Sequence, residues 1–118
     1  MQRDNQGRVT LVELEAHAGG DRKATRALVA RLKDPGLEAA HRAALEEALS
    51  TGPRQAVSAA LDLLYDGALE ARTSGIAIIK AHLGKDFGFS PKASESRREA
   101  ALKKITDAIQ KDPELAGG

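Results

Sequence analysis

Residues 21–83 have the sequence DRKATRALVARLKDPGLEAAHRAALEEALSTGPRQAVSAALDLLYDGALEARTSGIAIIKAHL, in which four alanine-rich segments are separated by short turns of Gly, Pro and Asp. Within each segment the apolar residues recur at three- and four-residue spacing, the pattern of an amphipathic helix with one apolar face. A pair of helices this short cannot bury its own apolar faces, so successive pairs must pack against one another. The stretch therefore predicts an all-α fold made of stacked helical hairpins.

Proline and glycine mark the ends of these segments, because proline cannot continue a helix and glycine accepts the left-handed conformation that often ends one. The breaks fall at Asp34-Pro35-Gly36, Thr51-Gly52-Pro53 and Asp66-Gly67, which predicts helices over about residues 21–33, 37–50, 54–65 and 69–83. Asp21 is a suitable N-cap for the first helix. Gly75 lies inside the fourth and costs about 1 kcal/mol relative to alanine, so we expect a neighbouring helix to pass close to it.

Length and composition limit the class of protein. The 118 residues fit one domain, and alanine supplies 22 of them, against three aromatic residues, which predicts a thin core of Leu and Ile. The chain has no cysteine, which excludes disulfides and thiolate chemistry. No stretch approaches the roughly 20 apolar residues that a membrane span needs, so we expect a cytoplasmic protein that does not enter a membrane.

Charge is distributed unevenly along the chain. Residues 1–33 carry a net charge of +3, residues 34–70 carry −5 and residues 71–118 carry +3. Arg22, Lys23, Arg26, Arg31 and Lys33 form a basic cluster in the first predicted helix. An acidic middle section interrupts any continuous basic stripe and no aromatic residues accompany the cluster, so the pattern favours a protein partner over nucleic acid.

The segment GKDFGFSP, residues 84–91, contains both phenylalanines and leads into a last helix that we expect to end near residue 111. We expect Phe87 and Phe89 to fold back over the end of the core. Arg98 lies on the apolar stripe of the last helix, where a guanidinium must reach water or a carboxylate. Asp86 is its expected partner. Asp86, Phe87, Phe89 and Arg98 are thus predicted to be structural residues.

Two sets of residues recur along the chain. Asp34 with the following Leu37-Glu38-Ala39 recurs as Asp66 with Leu69-Glu70-Ala71, at an offset of 32 residues. Arg42, Leu45, Ala48 and Leu49 recur as Arg72, Gly75, Ile78 and Ile79, at an offset of 30 residues. The two offsets indicate a repeat length of about 30 residues.

These repeats and the Gly-Lys-Asp-Phe-Gly-Phe turn resemble the HEAT-repeat family of armadillo-like α-solenoids, in particular short bacterial repeats related to phycobilisome lyases. Many such proteins follow a similar turn with an arginine-bearing helix and then tryptophans; this chain keeps the arginine as Arg98 but has Ile105 and Ile109 near the tryptophan positions. The resemblance implies a right-handed stack of antiparallel helical hairpins that binds proteins, and it transfers no catalytic residue. We expect a partly ordered segment over residues 1–20, a repeat domain with a C-terminal capping helix over residues 21–111, and a flexible tail over residues 112–118.

We therefore expect a non-enzymatic protein-binding module, an adaptor or scaffold, without a cofactor. Its predicted contact surface is the face formed by the second helices of the hairpins, with Glu38, Arg42, Glu46, Glu70 and Ser74. No metal-ligand spacing or nucleophile–base pair occurs among the histidines, serines and carboxylates. Two alternatives stay open: an accessory subunit or lyase-like enzyme acting on a bound pigment or cofactor, and a weak nucleic-acid-binding helical repeat.

Overall fold

The computed structural model describes residues 11–116, and they confirm the all-α class. Helix accounts for 71%, and no strand occurs among the described residues. The helices are α1 (Leu11–Ala18), α2 (Arg22–Arg31), α3 (Ala39–Thr51), α4 (Ala56–Leu64), α5 (Leu69–Leu83), α6 (Glu95–Lys111) and the four-residue turn α7 (Pro113–Ala116). Between residues 11 and 116, none of these helices combines the length and the apolar character needed to cross a bilayer.

Local sequence signals fix several of the helix ends. An Asp21 carboxylate oxygen accepts a hydrogen bond from the Ala24 amide at 3.1 Å and caps α2. Ser94 caps α6 in the same way through the Arg97 amide at 3.4 Å, which decides between the two serines near that end. Gly84 ends α5 with a φ of 83°, a left-handed conformation that costs glycine little.

The N-terminal part of the chain contributes a full helix where the sequence predicts only a partly ordered segment. His17, on α1, is 1% exposed. Its Nδ1 lies 2.7 Å from the Thr25 hydroxyl of α2, and its Nε2 lies 3.3 Å from the Ala48 carbonyl oxygen of α3. These contacts tie α1 to the two following helices, and residues so far apart in sequence gave no local signal of them. Residues 1–10, part of the same predicted segment, lie outside the described range.

Helices that alternate along the chain lie side by side. α3 packs against α5 and α2 against α4, while α4 and α5 form the most extensive helix pair. Near the start of α3, Arg42 donates to the Ser74 hydroxyl of α5, and near its end the Leu49 carbonyl oxygen lies 2.7 Å from Nε2 of His82. Because the two starts meet and the two ends meet, α3 and α5 run in the same direction.

Between these helices lies an aliphatic core. Its largest fully buried apolar side chains include Leu28, Leu32, Leu45, Leu49, Leu63, Leu64, Ile78, Ile79 and Ile105. Gly75 of α5 is where α4 comes closest: a Cβ there would lie 2.7 Å from Cβ of Leu63 and 3.2 Å from the Ala60 carbonyl oxygen. The absence of a side chain at Gly75 therefore sets the spacing of α4 and α5, as the sequence predicts.

Residues after α6 pack onto the body where the sequence predicts a flexible tail. Leu115, in α7, is 4% exposed and belongs to the core cluster. The Asp112 carboxylate, just before α7, lies 2.8 Å from an Arg54 guanidinium nitrogen at the start of α4. A buried leucine and an ion pair across the fold together hold this segment. Gly117 and Gly118 lie outside the described residues.

Candidate functional site

Arg42, at the centre of the predicted contact face, is occupied by hydrogen bonds within the fold. Its Nη1 donates to the Leu32 carbonyl oxygen at 3.0 Å, to the Glu70 carbonyl oxygen at 3.3 Å and to Ser74 Oγ at 2.8 Å. Its Nη2 donates to the Asp34 carbonyl oxygen at 2.6 Å. The guanidinium thus joins the end of α2, the α2–α3 turn and α5, and it leaves little hydrogen-bonding capacity for a partner.

The other four residues of that face divide into two groups. Ser74 is fully buried, accepts from Arg42, and donates to a Glu46 carboxylate oxygen. Glu38 and Glu70 are exposed. Arg42, Ser74 and Glu46 therefore form one network between α3 and α5, and only Glu38 and Glu70 offer their charges to solvent.

Arg72 has an equivalent role one repeat later. Its Nη1 donates to the Asp66 and Gly67 carbonyl oxygens of the α4–α5 turn at 3.0 and 2.9 Å, and its Nε donates to the Pro91 carbonyl oxygen at 3.0 Å. Arg42 and Arg72 each follow an N-cap residue by four positions and bind the carbonyls of the turn before their helix. The recurring arginine that the sequence shows is thus a structural clamp in both repeats.

The same geometry explains the two repeat offsets. The Asp34 carboxylate accepts from the Gly36 amide and the Asp66 carboxylate from the Ala68 amide, both at 2.8 Å. Four residues separate Asp34 from the N-cap of α3, whereas two separate Asp66 from the N-cap of α5. The turns therefore recur every 32 residues and the helices every 30, because the first turn is two residues longer.

The predicted structural residues of the aromatic turn lie in different environments. Phe89 is 3% exposed in the core, whereas Phe87 is only partly buried, with the Lys85 ammonium 4.9 Å from its ring centroid. Phe87 also has a φ of 58°, which strains a non-glycine residue by about 1–2 kcal/mol. The Asp86 carboxylate stabilises this turn by accepting from the Gly88 amide at 2.9 Å.

Arg98 does not pair with Asp86, contrary to the sequence-based prediction. Asp86 is directed at its own turn, and the buried Nε of Arg98 has no hydrogen-bond partner among the described residues. Arg98 instead lines an open groove of about 370 Å³ between the α4–α5 turn and α6. It shares this groove with Leu64, Tyr65, Asp66, Gly67, Arg72, Glu95, Glu99 and Leu102.

Tyr65 is the most exposed large hydrophobic side chain of the described residues. It is 64% exposed, and Leu69, on the other side of the same turn, is 37% exposed. Tyr65 also lines a second open groove, of about 580 Å³, with Glu99, Leu102, Lys103, Thr106, Asp107 and Gln110. The two grooves meet at Tyr65, Glu99 and Leu102, and we call them together the Tyr65 groove.

One face of α6 forms a long wall of the Tyr65 groove. Its lining residues follow helical spacing over four turns: Glu95, Arg98, Glu99, Leu102, Lys103, Thr106, Asp107 and Gln110. This face carries charges of both signs around Leu102, next to an exposed aromatic ring. An apolar centre with a polar rim is the usual anatomy of a protein–protein contact. Sequence reasoning missed Tyr65, although it is the single tyrosine of the chain and directly precedes a turn.

Metal chemistry finds no support in the part of the chain that the structure describes. No three of its His, Asp and Glu side chains converge closely enough to hold a metal ion. His17 and His82 lie against backbone carbonyls of α3, and His41 lies 3.2 Å from the Glu38 carboxylate.

Comparison with known proteins gives no relative: no protein-family model, no curated protein and no solved structure matches the chain. The functional argument therefore rests on the geometry above.

Proposed function

We propose that the chain is a HEAT-like, right-handed stack of helical hairpins that acts as a non-enzymatic protein-binding module in the bacterial cytoplasm. The parallel course of α3 and α5 supports the stack, since equivalent helices of successive hairpins run in one direction in a solenoid. The equivalent clamps of Arg42 and Arg72 support it as well, because each joins its own hairpin to the segment that follows. α6 then serves as the capping helix against α4.

The contact surface in this proposal is the Tyr65 groove rather than the second-helix face. Exposure of Tyr65 is the observation that carries the proposal. A tyrosine left 64% exposed beside an apolar groove keeps hydrophobic area in water that a partner can cover. Tyrosine is also among the residues that most often dominate binding energy, because it buries a large area at low entropic cost. The groove therefore fits a partner segment with an apolar anchor and polar flanks.

Site-specific photo-crosslinking in the native host tests this proposal. We would place a benzophenone amino acid at Tyr65 and, in a matched variant, at Glu38 on the second-helix face; both positions are exposed. We expect a discrete protein adduct from position 65 and none from position 38. Adducts from position 38 alone would favour the second-helix face, and the absence of a discrete adduct at both positions would contradict the proposal.

Tyr65→Ala provides the quantitative arm of this test. Because the side chain is mostly exposed, the variant should unfold at nearly the wild-type temperature. Affinity for the crosslinked partner should fall about 30-fold, the equivalent of a hot-spot loss of about 2 kcal/mol. Glu38→Ala serves as the control and should leave the affinity within about twofold, the small effect typical of a side chain outside the contact.

A further inference from the structure

A second groove, separate from the Tyr65 groove, lies between α2 and α4. Its volume is about 190 Å³, and its lining residues are Arg22, Thr25, Arg26, Gln55, Ser58, Ala59 and Asp62. Apart from Ala59, every one of these side chains is polar or charged. The groove is therefore suited to a small polar ligand rather than to an apolar protein segment.

Two arginines form the α2 side of this groove. Arg22 and Arg26 lie one helical turn apart, both are exposed, and neither forms an ion pair with any residue between 11 and 116. Arg31 of the same helix differs, because its guanidinium lies 2.8 Å from the Glu13 carboxylate. Two unpaired guanidinium groups at this spacing offer forked donors that match the oxygens of a phosphate.

The floor of the groove holds α2 and α4 at a fixed separation. The Gln55 side-chain amide donates to the Thr25 hydroxyl at 2.7 Å. Thr25 is 1% exposed and is also within hydrogen-bonding distance of His17 and of the Asp21 carbonyl oxygen. Because buried hydrogen bonds set this separation before any ligand arrives, binding pays little to order the scaffold.

The α4 side gives the groove a polarity. Ser58 has no side-chain hydrogen bond with a described residue, so its hydroxyl is available to a ligand. Asp62 lies one turn further along α4 and is exposed. Although it lines the same groove as Arg22 and Arg26, it is more than 4 Å from both guanidinium groups, since no ion pair joins them. The groove thus has a cationic wall and an anionic end, with a gap between them.

We propose that this groove binds a phosphomonoester of a small hydroxylated molecule. The phosphate lies against Arg22 and Arg26, near the N-terminal halves of α2 and α4, where the helix dipoles also favour an anion. The hydroxyl groups of the ligand donate to Asp62 and exchange a hydrogen bond with Ser58. A nucleic-acid strand fits this surface less well, because Asp62 repels the second phosphate that a strand would bring.

Isothermal titration with inorganic phosphate and with glycerol 3-phosphate, at constant ionic strength, tests the proposal on the full chain. Glycerol 3-phosphate should bind several-fold tighter than inorganic phosphate, since only it can reach Asp62. Arg22→Gln with Arg26→Gln should weaken both ligands by about tenfold or more, because charge-assisted hydrogen bonds are lost. The matched control is Lys23→Gln with Lys33→Gln, which removes the same charge from exposed positions outside the groove. It should leave both affinities within about twofold, because only diffuse electrostatics changes.

Asp62→Ala separates a shaped site from a diffuse positive surface. It should strengthen binding of inorganic phosphate, by removing a repulsive charge, and abolish the preference for glycerol 3-phosphate. An equal loss in the lysine control, the absence of phosphate binding to the wild type, or tighter binding of a mixed-sequence RNA than of glycerol 3-phosphate would each overturn the proposal. The Tyr65 variants bear on the protein-binding proposal alone, so the two proposals can fail separately.

Discussion

Replacement of Gly75 by alanine tests the closest helix contact in the fold, because two effects of opposite sign compete there. In an exposed helix, alanine is more stable than glycine by about 1 kcal/mol. At Gly75, the new Cβ would lie 2.7 Å from Leu63 Cβ, 3.0 Å from Leu64 Cδ2 and 3.2 Å from the Ala60 carbonyl oxygen. Ordinary van der Waals contact begins near 3.4 Å, so α4 must move by several tenths of an ångström.

The expected result follows from the rigidity of those neighbours. Leu63 Cβ and the Ala60 carbonyl belong to the α4 backbone or are bonded to it, so a rotamer change cannot relieve the clash. Overpacking of this kind costs about 1–3 kcal/mol and occasionally more. After the propensity gain is subtracted, Gly75→Ala should destabilise the protein by up to about 2 kcal/mol, or lower its melting temperature by up to about 10 °C.

Urea unfolding followed by circular dichroism measures this free energy. Ala77→Gly is the matched control, because residue 77 is exposed on the same helix and reports propensity alone; it should cost about 1 kcal/mol. If Gly75→Ala instead stabilises the chain by about the amount that Ala77→Gly costs, the close approach of α4 and α5 is refuted.

Three further predictions concern the core and the clamps. Phe89→Ala should cost about 3–5 kcal/mol in urea unfolding, whereas partly buried Phe87 should cost clearly less on truncation; equal losses would contradict their different burial. Arg42→Lys should destabilise by about 1.5–3 kcal/mol, because one ammonium cannot reach four acceptors on three segments, and a wild-type midpoint would show that the clamp contributes nothing. Burial lowers the pKa of His17, outweighing its hydrogen bond to the Ala48 carbonyl, with a smaller lowering from His82. The unfolded state therefore binds the proton first, so stability should fall as pH drops below about 6.5, and His17→Gln should flatten that dependence in unfolding curves at pH 5 and 7.5.

Local signals were sufficient for the secondary structure. Alanine-rich periodicity, Pro and Gly breaks and the Asp21 cap predicted α2 to α5 to within a few residues, because each signal acts inside one helix or one turn. The cost of glycine inside a helix predicted that another helix passes close to Gly75, since an uncompensated glycine would weaken α5. The recurrence of Arg42 as Arg72 was equally visible in the sequence.

The sequence by itself therefore determined the all-α class, most helix boundaries and the repeat length of about 30 residues. Only the tertiary structure decided what Arg42 does, since helical spacing gives the face on which a guanidinium lies but not the carbonyls from Leu32 to Glu70 that it meets. The same holds for α1, which His17 joins to α3 through an atom 31 residues away. Tyr65 and the α2–α4 groove also depend on how separate helices pack, because exposure and cavities arise between elements and leave no periodic signal within one.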